Sequence, residues 1–244
     1  PQYAWPLLAE ALGAEVWVKH ENHTPTGAFK VRGGLNLLAR LAERPPADRA
    51  GIISATRGNH GQSLAFAARL HGVRCVIVVP QGNSIDKNEA MRAFGAELHE
   101  HGRDFDAARI HASVLAQQQG LHFVGPFDQE LVAGVGTIIK MAVDYGLALG
   151  LTTQIVGVVA ATANAYALSF AAGRPVETKT VETFADGMAV RVPVPAALDV
   201  IRKGAARIVE VTDAEIEDAM RAYFSDTHQV AEGAGAAPLA ALLK

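Results

Sequence analysis

Gly51-Ile52-Ile53-Ser54-Ala55-Thr56-Arg57-Gly58-Asn59-His60-Gly61-Gln62 passes from a short apolar run into a polar, glycine-containing turn. The residues behind it, Ser63-Leu64-Ala65-Phe66-Ala67-Ala68-Arg69-Leu70, are helical in composition. The run 51–55 predicts a buried strand, and Gly72 closes the helix as a glycine beyond the last turn often does. The pattern then repeats. Residues 75–79 predict a strand, Pro80-Gln81-Gly82-Asn83 a turn, and a helix starts near Ser84 with Ile85, Asn88, Met91 and Phe94 spaced along it until Gly95. Residues 96–99 predict a strand, 104–119 a helix and 122–124 a further strand. Strand–helix alternation with short polar turns indicates a parallel sheet covered on both faces. Ligands of such sheets bind at the carboxyl ends of strands, where helix N-termini offer unpaired N–H groups. The turn after 51–55 is therefore where a site is expected.

Outward from this block, Glu15-Val16-Trp17-Val18-Lys19 predicts a strand, and 29–41 a helix with Val31, Leu35, Leu38 and Leu41 on related faces. Near the end, Thr212-Asp213-Ala214-Glu215 has the form of a capping box, in which Thr212 and Glu215 satisfy each other's free N–H groups. Ile216, Met220 and Tyr223 continue it as an apolar stripe. No Pro/Ser-rich linker separates these parts, which predicts two α/β domains entwined by the chain. The smaller, 51–129, is inserted in a larger one made of 1–50 and 130–244.

The 244 residues are half apolar, enough for a core of ordinary size, and the net charge of −3 is spread without basic runs. A nucleic-acid binder shows a basic face, and this sequence has none. The single cysteine, Cys75, sits in an apolar run and reads as core packing; one thiol forms no internal disulfide, which favours a reducing compartment. No apolar stretch approaches the roughly 20 residues that span a bilayer, and Pro1-Gln2-Tyr3-Ala4-Trp5 does not open a signal peptide. A cytoplasmic protein with no nucleic-acid or membrane partner is expected. His20, His23, His99 and His122 lack metal-ligand spacing and read as surface or satisfied groups.

Chemistry concentrates in two segments, Pro25-Thr26-Gly27-Ala28-Phe29-Lys30-Val31-Arg32-Gly33-Gly34 and the turn 54–62. In the first, a lysine between apolar neighbours opens a helix, where the dipole and desolvation favour its neutral, nucleophilic amine. Alone, such a lysine also suits a solvated surface, and the glycine turn alone also suits a structural role. Together they resemble the pyridoxal-phosphate (PLP)-dependent β-family, fold type II, which shares its fold with the tryptophan synthase β-subunit. Residues 25–33 resemble the lysine motif of its serine/threonine dehydratases, Thr/Ser-x-Ser/Ala-Phe-Lys-x-Arg-Gly, and 54–62 resemble their asparagine loop, Ser-x-Gly-Asn-His. Further similar segments follow in order: Phe94-Gly95-Ala96-Glu97, Pro126-Phe127-Asp128, Val132-Ala133-Gly134-Val135-Gly136-Thr137, Phe184-Ala185-Asp186-Gly187-Met188-Ala189-Val190 and Glu232-Gly233-Ala234-Gly235-Ala236-Ala237.

The resemblance implies a two-domain PLP fold and β-elimination of water from a hydroxy amino acid, giving a 2-oxo acid and ammonia. L-Threonine or L-serine is the default substrate. Lys30 would carry the cofactor as a Schiff base and move the Cα proton. Asn59 would hydrogen-bond the ring's 3′-oxygen, Phe29 would pack beside the ring, and Gly187 would lie where a side chain collides with it. Gly58, His60 and neighbouring backbone N–H groups would hold the substrate carboxylate. A homodimer or higher homo-oligomer is implied as well.

The sequence departs from the family at several points. Between Thr137 and Gly157 there are too few residues for the helix, strand and glycine run that form the family's phosphate cup, which need roughly 40. Either a segment is missing there or the phosphate site is lost; the match resumes in register at Gln154-Ile155-Val156-Gly157-Val158, which favours a missing segment. Arg57 stands where many dehydratases have serine. It would pair either with a carboxylate on a bulky or acidic substrate or with a nearby Asp or Glu. Val159 stands where metal-activated members have Glu, and Asp186 alone is a poor site for a hard cation, so no metal is expected. A dinucleotide-binding oxidoreductase needs Gly-x-Gly-x-x-Gly, which 57–62 does not fit. A non-catalytic ligand-binding protein on the same fold explains a lost phosphate cup but not Lys30 in its full context.

Overall fold

The computed structural model describes residues 1–45, 50–125, 131 and 149–244. In chain order its principal elements are β1 (Gln2–Ala4), α1 (Pro6–Leu12), β2 (Trp17–Lys19), α2 (Val31–Ala42), β3 (Ile52–Ala55), α3 (Asn59–His71), β4 (Cys75–Val79), α4 (Ile85–Ala93), β5 (Glu97–Glu100) and α5 (Phe105–Gln119). They continue with β6 (His122–Phe123), β7 (Val156–Ala160), α6 (Ala165–Ala172), α7 (Pro195–Gly204), β8 (Arg207–Val211), α8 (Asp213–Thr227) and α9 (Gly233–Leu243). The similar segments at 126–128 and 132–137 lie outside the described residues.

Two compact units result, Pro1–His20 with Val135–Lys244, and Glu21–Gly134. These boundaries differ from the expected insertion at 51–129. The reason is α2, whose Leu37, Leu38 and Leu41 are buried in one cluster with Leu64 and Ala67 of α3 and Ile77 of β4. The lysine-bearing helix therefore belongs with the sheet that follows it.

That sheet is parallel throughout and ordered β5-β4-β3-β6. Every residue of β3 and β4 is buried. Ile52, Ile77 and Val79 join the α2/α3 cluster, whereas Ile53, Ala55, Val76 and Val78 pack with Ala108, Ala112 and Ala116 of α5. Alanines four apart form one face of α5 and let it lie close to the strands. The chain leaves β3 through α3 toward β4, and later returns through α5 to β6 on the other side of β3. The carboxyl end of β3 is thus the point at which the winding reverses, where open α/β sheets place their ligands.

Helix α3 begins at Asn59, four residues before the stretch whose composition suggested a helix. Thr56 explains this: its Oγ1 accepts hydrogen bonds from the Gly58 and Gly61 N–H groups, at 3.0 and 3.4 Å, satisfying donors of the first turn. In α4 the expected stripe holds only in part. Met91 and Asn88 are buried, the latter accepting from Asn83 Nδ2 at 2.6 Å, but Ile85 is 77% exposed.

In the other unit, β1 pairs antiparallel with β2 and β7 pairs parallel with β8. The Thr212–Glu215 capping box is present: Glu215 N–H donates to Thr212 Oγ1 at 3.2 Å, and Thr212 N–H to Glu215 Oε2 at 2.7 Å. Ile216, Ala219 and Tyr223 of α8 share a core with Ala236, Ala237, Leu239 and Ala240 of α9. His20 is buried and accepts the Trp5 indole N–H at 3.0 Å. Among the described residues no helix is long and apolar enough to cross a membrane.

His60 fastens the start of α3 to the sheet. Its buried Nε2 lies 3.0 Å from Ser54 Oγ, and the Ser54 hydroxyl donates to the Val124 carbonyl at 2.6 Å. With its one proton given to Val124, Ser54 accepts from His60 Nε2–H, which fixes the neutral tautomer. Burial, then the charge of Lys30, pushes the imidazole pKa down to about 3, with a hydrogen bond to the Val124 backbone opposing in part.

Two consequences are measurable. A Cβ on Gly61 would run into Met91 Sδ and Thr56 Cγ2, so Gly61→Ala is expected to lower the urea midpoint by the equivalent of about 1–3 kcal/mol at unchanged slope. An unchanged midpoint would mean that this packing yields freely. For His60, the unfolded state takes up a proton near pH 6.5 that the folded state refuses until about pH 3. The stabilisation is therefore full above about pH 6.5 and is lost as the pH falls, by up to about 1.4 kcal/mol per unit. Urea titrations between pH 7 and about 4 should give His60→Gln a flatter dependence than the parent; equal slopes would remove His60 from the account.

Candidate active site

Residues 21–30 form a turn locked by its own side chains. Thr24 Oγ1 accepts the Ala28 N–H at 3.0 Å and donates toward the Ala28 and Glu21 carbonyls at 2.8 and 3.0 Å. Gly27 sits in the left-handed region, φ 64°, and its N–H reaches the Thr24 carbonyl at 2.9 Å. That conformation is one that glycine adopts without Cβ penalty. One turn into α2, Arg32 grips Glu21 with two hydrogen bonds, Nε to Oε2 at 2.9 Å and Nη2 to Oε1 at 3.1 Å. The pairing raises the arginine's pKa. The arginine of the lysine motif therefore closes the loop that presents the lysine.

Lys30 is the residue immediately before α2 rather than inside its first turn, and it is half-buried. Its Nζ lies 5.0 Å from the centroid of the Phe29 ring, a cation–π distance. Its carbonyl accepts from Gly33 N–H, Gly34 N–H and, across to α3, the Ser63 hydroxyl at 2.6 Å. Lys30 and Phe29 thus stand at the start of one helix, while Gly58, Asn59 and His60 stand at the start of the helix packed against it.

The asparagine loop carries the remaining expected residues. Asn59 is half-buried at the first position of α3. A Cβ on buried Gly58 would lie 2.6 Å from Lys87 Cδ, so the stem of Lys87 crosses the loop at that glycine. The His60 side chain points into the core toward Ser54, which leaves its backbone N–H as the group available to a ligand. That N–H and the Arg57 N–H have no acceptor among the described residues. Arg57 is exposed, and its guanidinium pairs with no described residue.

Gly187 belongs to the other unit, in the short 3-10 turn Asp186–Met188. A Cβ there would meet Ala234 Cβ at 2.9 Å, so packing within that unit already calls for glycine. Among the described residues no group of three or more His, Cys, Asp or Glu side chains is placed to hold a metal ion. The sequence reading missed Ser54, Thr56, Ser63 and Lys87. Ser63 carried one legible signal, its position four residues after Asn59 on one helix face.

These residues fit the aldehyde and ring of a pyridoxal cofactor. A half-buried amine beside an aromatic ring suits an aldehyde, and a side-chain amide at a helix start suits a ring oxygen. For the phosphate, the sequence contains no glycine run after a strand.

The family described as "Pyridoxal-phosphate dependent enzyme" matches residues 1–144 and 130–244. The L-threonine ammonia-lyase of Geobacter sulfurreducens is 37% identical over 260 residues, covering 97% of this chain and 64% of that protein. The catabolic L-threonine dehydratase of Staphylococcus aureus N315 is 33% identical over 252 residues, covering 93% and 72%. In structure, the processed threonine deaminase isoform 2 of Solanum lycopersicum superposes with a TM-score of 0.90 at 26% identity, over 99% of this chain and 77% of that one. The chain spans 50–65% of the length of several other curated relatives it matches. With a lysine, an aromatic ring and an asparagine placed as described, and with a family match along its length, the chain belongs to the pyridoxal-phosphate-dependent enzymes of fold type II.

Proposed function

We propose that this protein is an ammonia-lyase that removes water and then ammonia from L-threonine, L-serine or a related 3-hydroxy amino acid, leaving a 2-oxo acid. The observation that carries this reading is Lys30, half-buried beside Phe29 and tied through its carbonyl to the helix that begins with Asn59. The names of the Geobacter and Staphylococcus relatives support the same reaction. When bound, pyridoxal phosphate supplies the electron sink that lets Cα lose its proton.

The chain's own residues do the rest. Lys30 would hold the cofactor's aldehyde, and its Nζ would take the Cα proton. Asn59 would donate its side-chain amide to the ring oxygen, and Phe29 would pack beside the ring. The Arg57 and His60 N–H groups, at the positive end of the α3 dipole, bind the substrate carboxylate, whereas the Gly58 N–H is already given to Thr56 Oγ1. The β-hydroxyl leaves as water, and water returns when the imine hydrolyses, so the net products are the 2-oxo acid and ammonium.

The Arg57 guanidinium, which pairs with no described residue, favours a second reading within the same reaction, a substrate with an acidic side chain. We also infer a homo-oligomer, as the family resemblance implies, and a reducing, cytoplasmic setting. Burial raises the single thiol, Cys75, to a pKa of about 12, which suits packing rather than disulfide exchange.

The test begins with visible absorption of the purified protein with PLP, followed by borohydride reduction and peptide mapping. Label fixed on Lys30, with 2-oxo acid released from threonine, serine or 3-hydroxyaspartate, is the expected result. Lys30→Ala should lower turnover by about 1,000-fold or more. A protein that takes up no cofactor, or a Lys30→Ala variant as active as the parent, would sink the enzyme reading and leave the non-catalytic binding protein.

A further inference from the structure

A serine inside a helix usually turns its hydroxyl back to the carbonyl four residues earlier in its own helix. Ser63, in the second turn of α3 and 1% exposed, donates instead to the carbonyl of Lys30 at 2.6 Å. That carbonyl has no need of the bond to be satisfied, because the Gly33 and Gly34 N–H groups of α2 already donate to it, at 3.1 and 3.2 Å. The hydroxyl adds a tether between two helices at the residue that carries the amine.

The approach is possible only because position 34 is glycine. A Cβ there would strike Ser63 Oγ and lie 2.7 Å from the Ser63 carbonyl oxygen. Ser63 follows Asn59 by four residues in α3, so both lie on one face of that helix, about 6 Å apart along its axis.

We propose that Ser63 is a positioning residue for Lys30: its hydroxyl pins the lysine's main chain to α3 one turn from Asn59, so that amine and amide share one rigid frame. This rests on the reading of Lys30 given under Proposed function. Alanine at 63 removes a donor without orphaning the Lys30 carbonyl, so the variant is expected to fold, with a melting midpoint within about 4 °C of the parent.

The probe is pyridoxal, which needs no phosphate cup, with cyanoborohydride to trap the adduct. Labelling of the full chain is mapped by peptide across a pH series, and Lys30 is read against Lys87 and Lys19 in the same sample. In the parent, Lys30 should be labelled selectively. Ser63→Ala should lower the Lys30 rate about 3- to 10-fold relative to Lys87 and displace its pH profile, whereas general loosening of the fold would speed all three lysines. Ser63→Thr, which keeps the hydroxyl, should restore the parent profile.

Equal Lys30 labelling and an equal pH profile in the parent and S63A overturn the proposal while the Lys30 reading stands. No selective labelling of Lys30 in the parent overturns both. Should S63A fail to fold, Gly34→Ala decides, because its methyl drives the Ser63 hydroxyl off the Lys30 carbonyl. Parent-like Lys30 labelling in folded G34A then overturns the proposal.

Discussion

A strand buried on both faces must give up its chain to a helix without stranding polar groups, and the end of β3 is where this sheet does so. Thr56 takes two of the N–H groups that the first turn of α3 leaves over. Ser54 and His60 satisfy each other below them, with Val124 of the chain beyond β6 accepting the last proton. The loop is therefore held from inside by hydrogen bonds that lie in the core, where leaving one unmade is costly. Among the described residues the Arg57 and His60 N–H groups are left without acceptors. Rigid support below and unused donors above are what a binding loop needs, and both follow from the burial of one strand.

The same region concentrates positive potential. The N-terminus of α3, the exposed Arg57, the stem of Lys87 across Gly58 and the ammonium of Lys30 all surround a few residues. The Lys30 charge is felt as far inside as His60, whose imidazole is kept neutral by burial first and by that charge second. A cationic histidine there would compete with the lysine for the same field. Holding it neutral leaves the positive charge on Arg57 and Lys30, which are exposed and half-buried respectively.

Much of this was legible in the sequence. Alternating apolar runs and glycine-closed helices gave the parallel sheet, and Thr212 with Glu215 gave a helix start to the residue. Lys30, Asn59 and the glycine turn stood out because their residue types and spacing are unusual together. Other features were not legible, because they depend on which elements meet. The place of α2 is one of them, since it declares itself amphipathic but not which sheet it covers. Ile85 fits a helical stripe by spacing, yet it is 77% exposed. Ser63 is an unremarkable helix residue until Gly34 brings the Lys30 carbonyl within reach.

The other unit poses the contrasting problem. β7 is as apolar as β4, but four of its five residues stay partly or largely exposed, whereas all five of β4 are buried. Parallel strands of such composition are normally covered on both faces and flanked by further strands. Here, among the described residues, β7 has β8 alone as its partner. The sequence just before β7 is where the family's helix, strand and glycine run would be expected, and the 260-residue alignment with the Geobacter protein is longer than the 244-residue chain itself. The two family matches also meet at 130–144, close to this point. The lysine-bearing unit contrasts with this, since both faces of its sheet are covered. Lys30, Ser63, Asn59 and their supporting bonds lie within that unit, whose sheet has four strands among the described residues.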